Sequence, residues 1–212
     1  PAVDDVPGPA PAPGRGSDGT VFIACGRLVP VKAYDLLIEA MRRVIDRGVA
    51  ARLVLGGDVP MLGALRDVTA RLDLTGHGEF ADFVDDVPAF LARGDVFVCS
   101  SHSESFGIAL LEAMACGKPI VTTRTRGPMQ VVDDRTATFV EPGDADALAE
   151  AMIDTARDVD GRTARARAAL QRYREEYHRD VVLPRIVALY ERVVAGASAE
   201  PAAVTSGTNQ SL

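Results

Sequence analysis

The chain has 212 residues, 47% of them hydrophobic and 25% charged, with a formal net charge of −7. The apolar fraction is ample for a core, and the acidic balance argues against a nucleic-acid binder, whose partner demands basic surface. No apolar run reaches the length of a membrane span, no signal peptide opens the chain, and Cys25, Cys99 and Cys116 lack C-x-x-C spacing.

These features predict a cytoplasmic protein with reduced thiols, and the abundance of Ala, Arg, Asp and Val points to a bacterial source with a GC-rich genome. A first residue of Pro reads as a fragment or a processed chain. Residues 1–19 carry Pro, Ala, Gly and Asp without an apolar period and read as a flexible linker. A strand is predicted at 20–25, a loop at 26–32, and an amphipathic helix at 34–48 with Leu36, Leu37, Ala40, Met41 and Val44 on one face. A strand at 52–56, a helix at 61–72, a short strand at 78–81, a brief helix at 87–93 and a strand at 95–99 follow.

Next comes a polar loop, 100–105, and then the apolar positions Phe106, Ile108, Leu110, Leu111, Met114 and Ala115, which predict a buried helix ending at Gly117. A strand at 118–123, a helical turn at 128–132 and a strand at 136–140 come after it. Asp144 caps a helix over 145–157; its D-x-D pattern with Asp146 reads as a helix start rather than a metal site. Helices are predicted over 161–178 and 181–194, the second broken by Pro184, and 196–212 reads as a disordered tail. Strands alternating with helices predict an α/β, Rossmann-like doubly wound parallel sheet of about six strands over 20–160, with extra C-terminal helices over 161–195.

Strand, polar loop and buried helix in that order set a helix N-terminus at the carboxyl edge of the sheet, where such sheets bind ligands and free N–H groups suit a phosphate. Glu104 stands before this helix and Glu112 about two turns inside it, at roughly 3.6 residues per turn. A carboxylate in an apolar helix is costly without a partner, and an ionised acid accepts directed bonds from hydroxyls. Arg27 and Lys32 flank the first strand–helix turn, where a planar fork and a compact charge both suit phosphate oxygens. Solvated side chains are the bland reading of all four.

The run Glu104-Ser-Phe-Gly-Ile-Ala-Leu-Leu-Glu112 resembles the E-x7-E motif of retaining, nucleotide-sugar-dependent glycosyltransferases of the GT-B fold, glycosyltransferase family four. Gly26-Arg-Leu-Val-Pro-Val-Lys32 resembles that family's R-x4-K element. The resemblance runs from about Val21 to Asp158 and covers only the C-terminal, donor-binding half of such enzymes.

It implies that the chain binds a nucleotide sugar, with Arg27 and Lys32 on the phosphates and Gly26 letting the backbone pass close. Glu104 would contact the sugar, the N–H groups of Ser105, Phe106 and Gly107 would face sugar or phosphates, and Glu112 would hold the ribose. Of these, Glu104, Arg27 and Lys32 are the candidate catalytic residues. No metal or cofactor is required, and the acceptor, a sugar, lipid or small molecule, would be held by an N-terminal domain beyond this chain. The sequence departs from the family at Ala33, where many members have Gly, and at Arg126 and Gln130, where members often have Gly and Glu. The alternatives are a sugar-nucleotide epimerase or phosphorylase of the same fold, or a non-catalytic nucleotide-sugar-binding domain.

Overall fold

A computed structural model describes residues 19–58, 60–81 and 83–197, with side chains described to residue 195. The expected linker, apart from Gly19, and the expected tail beyond residue 197 lie outside the described residues. Six strands form one parallel sheet: β1 (Thr20–Cys25), β2 (Ala51–Gly56), β3 (Gly78–Ala81), β4 (Val96–Cys99), β5 (Ile120–Thr123) and β6 (Thr138–Val140). Their order is β3-β2-β1-β4-β5-β6. The chain winds outward from β1 in one direction, then returns to β4 and winds outward in the other. The switch point therefore falls between β1 and β4, where Ile23 lies opposite Phe97.

Among the described residues eight α-helices connect and cover the strands: α1 (Tyr34–Asp46), α2 (Leu62–Arg71), α3 (Val87–Leu91), α4 (Ile108–Ala115), α5 (Arg126–Val131), α6 (Ala145–Arg157), α7 (Val159–Arg172) and α8 (Arg179–Ala197). Side chains alternate across the sheet. Phe22 and Ala24 join Leu37 and Met41 of α1, Leu65 of α2 and Met152 of α6 in one core layer. Val21, Ile23 and Cys25 join Phe90 of α3, Leu110 and Met114 of α4 and Ala169 of α7 in the other. Burial on both faces is why the strands read as apolar runs without alternation. Each fully buried Phe or Leu here contributes on the order of 1.5–3 kcal/mol.

The structure corrects the sequence expectations at several places, one being the helical turn expected over 128–132, which is α5 and begins two residues earlier, at Arg126. Phe106 and Ile108 are 44% and 51% exposed, because α4 starts only at Ile108 and buries Leu110, Ala113, Met114 and Ala115 instead. The helix expected over 161–178 starts earlier, at Val159, where Asp158 accepts from the Gly161 N–H at 2.8 Å, and it passes into one π-helical turn, Tyr173–Tyr177. Pro184 does not break α8: it sits inside the helix, where it removes one backbone bond on an exposed element. That helix also runs to Ala197, two residues into the expected tail.

Candidate functional site

Three loops meet at the carboxyl edge of the switch point and are stitched together by buried polar groups. Ser100 Oγ donates to the Lys32 carbonyl at 2.9 Å, and the His102 N–H donates to the Val31 carbonyl at 2.8 Å. Thr123 Oγ1 donates to the Ser101 carbonyl at 2.7 Å, and the Gly127 N–H donates to the Glu104 carbonyl at 2.8 Å. Ser100, Ser101 and Thr123 are each about 1% exposed, so an unmade bond at any of them would carry the full desolvation cost. The loops after β1, β4 and β5 are thus tied to one another in a single rim.

On that rim Lys32 Nζ donates to Glu104 Oε2, an ion pair whose side chains are only 24% and 15% exposed. Arg27 is exposed, and its guanidinium has no hydrogen bond or ion pair among the described residues. Gly107 precedes α4 at φ +90°, a conformation that L side chains rarely adopt, and a Cβ there would press to 2.8 Å from Leu110 Cδ1. The N–H groups of Ser105, Phe106 and Gly107 donate no hydrogen bond among the described residues, so they are open donors at a helix start. Gly26 differs: its N–H donates to the Gly56 carbonyl at 3.0 Å and is not free for a ligand. Its contribution is steric, since a Cβ would meet the Tyr34 hydroxyl at 3.0 Å.

Glu112 projects from the middle of α4 half-buried, and its carboxylate accepts no hydrogen bond among the described residues. Burial raises its pKa above the ordinary carboxylate value. Its charge reaches the end of β1: burial first, then Glu112, pushes the Cys25 thiol up to about 12. Burial likewise lifts Cys116 to about 11 and holds Tyr34 well above its usual range. The three cysteines are free, as expected. Asp144 caps α6 by accepting from the Ala147 N–H at 2.8 Å, and Asp146 pairs with Arg43 at 2.7 Å, so both acids of the D-x-D pattern have structural partners.

Of the eight residues expected at the site, Lys32 and Glu104 touch each other, Ser105, Phe106 and Gly107 offer unbonded amides before α4, and the N–H of Gly26, expected beside a diphosphate, is bonded to Gly56. Sequence reasoning missed Gly127 as part of the site. A Cβ at Gly127 would stand 2.6 Å from both the Glu104 carbonyl oxygen and the Phe106 nitrogen, so the absence of a side chain lets α5 press against the loop that carries Glu104. The signal available was a Gly-Pro pair directly after a buried strand.

A doubly wound sheet with open amides, cations and two carboxylates at its switch point defines a Rossmann-like domain suited to a phosphorylated, hydroxyl-rich ligand. The chain belongs to the glycosyl transferases group 1 family, whose model matches residues 19–158. It is 33% identical over 167 residues to the lipopolysaccharide core biosynthesis glycosyltransferase LpsE of Rhizobium meliloti, covering 78% of this chain and 48% of that protein. It is 33% identical over 159 residues to a GDP-mannose-dependent alpha-(1-6)-phosphatidylinositol dimannoside mannosyltransferase of Mycobacterium tuberculosis, covering 74% and 39%. The crystal structure of Anabaena HepE with UDP and glucose matches the fold with a TM-score of 0.74 at 24% identity, over 86% of this chain and 49% of that one. The chain spans half or less of the length of these relatives.

Proposed function

We propose that this chain is the donor-binding part of a retaining GT-B glycosyltransferase that moves a sugar from a nucleoside-diphosphate sugar to an acceptor hydroxyl. The observation that carries the reading is the Lys32–Glu104 pair beside the open amides of Ser105, Phe106 and Gly107, with the unpartnered Glu112 further along the same helix. A diphosphate against those amides draws on Lys32 and Arg27. The two cations stabilise the negative charge that grows on the leaving oxygen as the glycosidic bond breaks. Glu104 accepts bonds from hydroxyls of the transferred sugar, and Glu112 from the ribose. The acceptor hydroxyl attacks from the face that the diphosphate leaves, and its proton passes to the leaving phosphate, so no carboxylate acts as nucleophile. No metal or organic cofactor is assigned a role. The acceptor and the groups that face it belong to a part of the enzyme outside this chain. A GDP-mannose-dependent relative and a fold neighbour holding UDP and glucose support a nucleotide sugar as donor.

Calorimetry with UDP and GDP, and then with UDP-glucose and GDP-mannose, tests the reading. Binding of one diphosphate, weakened by about 1.5–3 kcal/mol in Arg27→Ala, is expected from the loss of a charged hydrogen bond. Failure of the chain to bind either diphosphate would sink the donor assignment. Magnesium-dependent activity of the complete enzyme, abolished by chelator, would contradict the metal-free scheme.

A further inference from the structure

We infer that Arg126 is a specificity-determining residue that reads an anionic group, a carboxylate or a phosphate, at the sugar end of the site. The inference rests on the donor reading above and adds the substrate class.

The segment that leads from β5 into Arg126, the first residue of α5, is fixed at three points. Thr123 Oγ1 holds the Ser101 carbonyl at 2.7 Å, the Arg124 N–H holds the Val140 carbonyl at 2.7 Å, and the Gly127 N–H holds the Glu104 carbonyl at 2.8 Å. Arg126 is thus the direct neighbour of the residue bonded to Glu104, the carboxylate assigned to the sugar. A Cβ on Gly127 would overlap Glu104, Ser105 and Phe106 backbone atoms at 2.6–2.8 Å, which shows how closely this segment abuts the Glu104 loop. Arg126, the first residue of α5, thus stands one residue from the contact with the Glu104 loop and is exposed beside it.

Among the described residues Lys32 and Arg124 have partners and the Arg126 guanidinium has none. Lys32 is taken by Glu104, and Arg124 is held by Asp134 at 3.3 Å and Glu141 at 3.5 Å while lying 4.6 Å over the Phe139 ring. Arg126 is exposed, and its guanidinium makes no ion pair or hydrogen bond among the described residues. In a protein of net charge −7 with 30 acidic residues, a cation left without a carboxylate at a ligand-facing rim is available for an anionic ligand. Arg27 stands in the same condition, but it lies on the first loop, where the diphosphate is placed. The diphosphate therefore has its own cations, and the charge of Arg126 is left for a second anion. A planar fork suits a carboxylate or a phosphate through two parallel bonds. Two sources present that chemistry here: a uronic acid as the transferred sugar, or a phosphate on the acceptor next to the attacking hydroxyl.

The test uses the chain with UDP or GDP, whichever binds, and compares three ligands by calorimetry in wild type, Arg126→Gln and Arg126→Lys. The ligands are the diphosphate, its neutral hexose ester and its hexuronate ester; a hexose phosphate titrated onto the diphosphate-loaded chain is the fourth measurement. Wild type is expected to prefer the hexuronate ester over the hexose ester by about tenfold or more, which identifies the donor source, or to bind the hexose phosphate, which identifies the acceptor source. Arg126→Gln should abolish that preference while holding the diphosphate Kd within about twofold and the thermal melt unchanged, and Arg126→Lys should restore part of it. The inference is overturned if wild type treats neutral and anionic ligands alike, if the preference survives in Arg126→Gln, or if Arg126→Gln loses the diphosphate itself. A wild-type chain that binds no diphosphate overturns the donor reading, and this inference with it.

Discussion

Lys32 and Glu104, 72 residues apart in sequence, face each other across the switch point as an ion pair joining the loops after β1 and β4. Each neutralises the other while no ligand is present, so a sugar nucleotide must share or separate them. On the donor reading proposed above, Lys32 then turns to phosphate and Glu104 to hydroxyls. Glu104→Gln removes a competitor for Lys32. Free nucleoside diphosphate should therefore bind the variant as tightly as the parent or up to about 1 kcal/mol tighter, while the sugar ester loses its added affinity. Calorimetry of both ligands decides it, and weaker binding of the free diphosphate would move Glu104 to the phosphates.

Lys32→Met leaves a carboxylate that is 15% exposed without its cation. A cost of about 1–3 kcal/mol in unfolding free energy is expected from stranding that group, and adding Glu104→Gln should return most of it. A double-mutant cycle in urea measures the coupling. Strict additivity would show that the pair is a solvated contact with no energetic weight.

Glu112 should trade stability against binding. Its folded pKa is raised by burial above an ordinary value of 4.5, so the folded state favours the protonated acid. The ionised form therefore costs stability at pH values above the raised pKa. That cost fades as pH falls through the raised pKa and is gone below the ordinary one. Glu112→Gln should accordingly raise the melting temperature at neutral pH, with a gain that shrinks toward acid, and should weaken nucleoside diphosphate binding. A lower melting temperature at neutral pH would mean that Glu112 has a favourable partner in the empty site.

Cys25 and Cys116, lifted to about 12 and about 11 by burial, hold almost no thiolate near pH 8. Iodoacetamide at pH 8 should leave both unmodified in the folded chain for hours and alkylate them within minutes in denaturant. Peptide mass spectrometry reads each site separately, and rapid native alkylation of Cys25 would show that the end of β1 opens.

The sheet is legible because its central strands are apolar runs bounded by polar turns, and even β3, Gly-Glu-Phe-Ala with no buried residue, falls at residues 78–81 as expected. The sidedness of α4 is not: its apolar residues surround the helix, so the pattern gives no hint that Ile108 faces solvent and Leu110 the core. Pro184 misled because a proline lowers helix propensity without forbidding an exposed helix that continues past it. At Ala33 the sequence showed a departure from the family whose cause only the backbone supplies. The residue takes φ +50°, ψ +44° while fully buried, a left-handed conformation that glycine adopts without strain. The strain of about 1–2 kcal/mol relieved by Ala33→Gly is offset by the lost methyl burial and added chain entropy. The pairing of Lys32 with Glu104 lay beyond any local pattern, since it depends on β1 and β4 being neighbours.

Gly127→Ala should separate the role of α5 in the site from its role in the fold. The residue is helical, and alanine is favoured over glycine inside a helix by about 1 kcal/mol. Against this, the new methyl group would stand 2.6 Å from the Glu104 carbonyl oxygen and the Phe106 nitrogen and 2.8 Å from the Ser105 carbonyl carbon. All three are backbone atoms without a rotamer to yield, so either the Glu104 loop or α5 must move. The loop is the softer of the two, because Ser105 and Phe106 are exposed whereas Pro128 and Val131 anchor α5 in the interior. The two effects partly cancel in stability, and the melting temperature should change by only a few degrees. They do not cancel at the site, where an ångström of misplacement can cost up to about a hundredfold. The sugar ester should lose about tenfold or more in affinity, with a smaller loss for the free diphosphate, whose cations Arg27 and Lys32 sit on the other loop. Loss of stability with both affinities intact would make Gly127 a packing residue and detach α5 from the placement of Glu104.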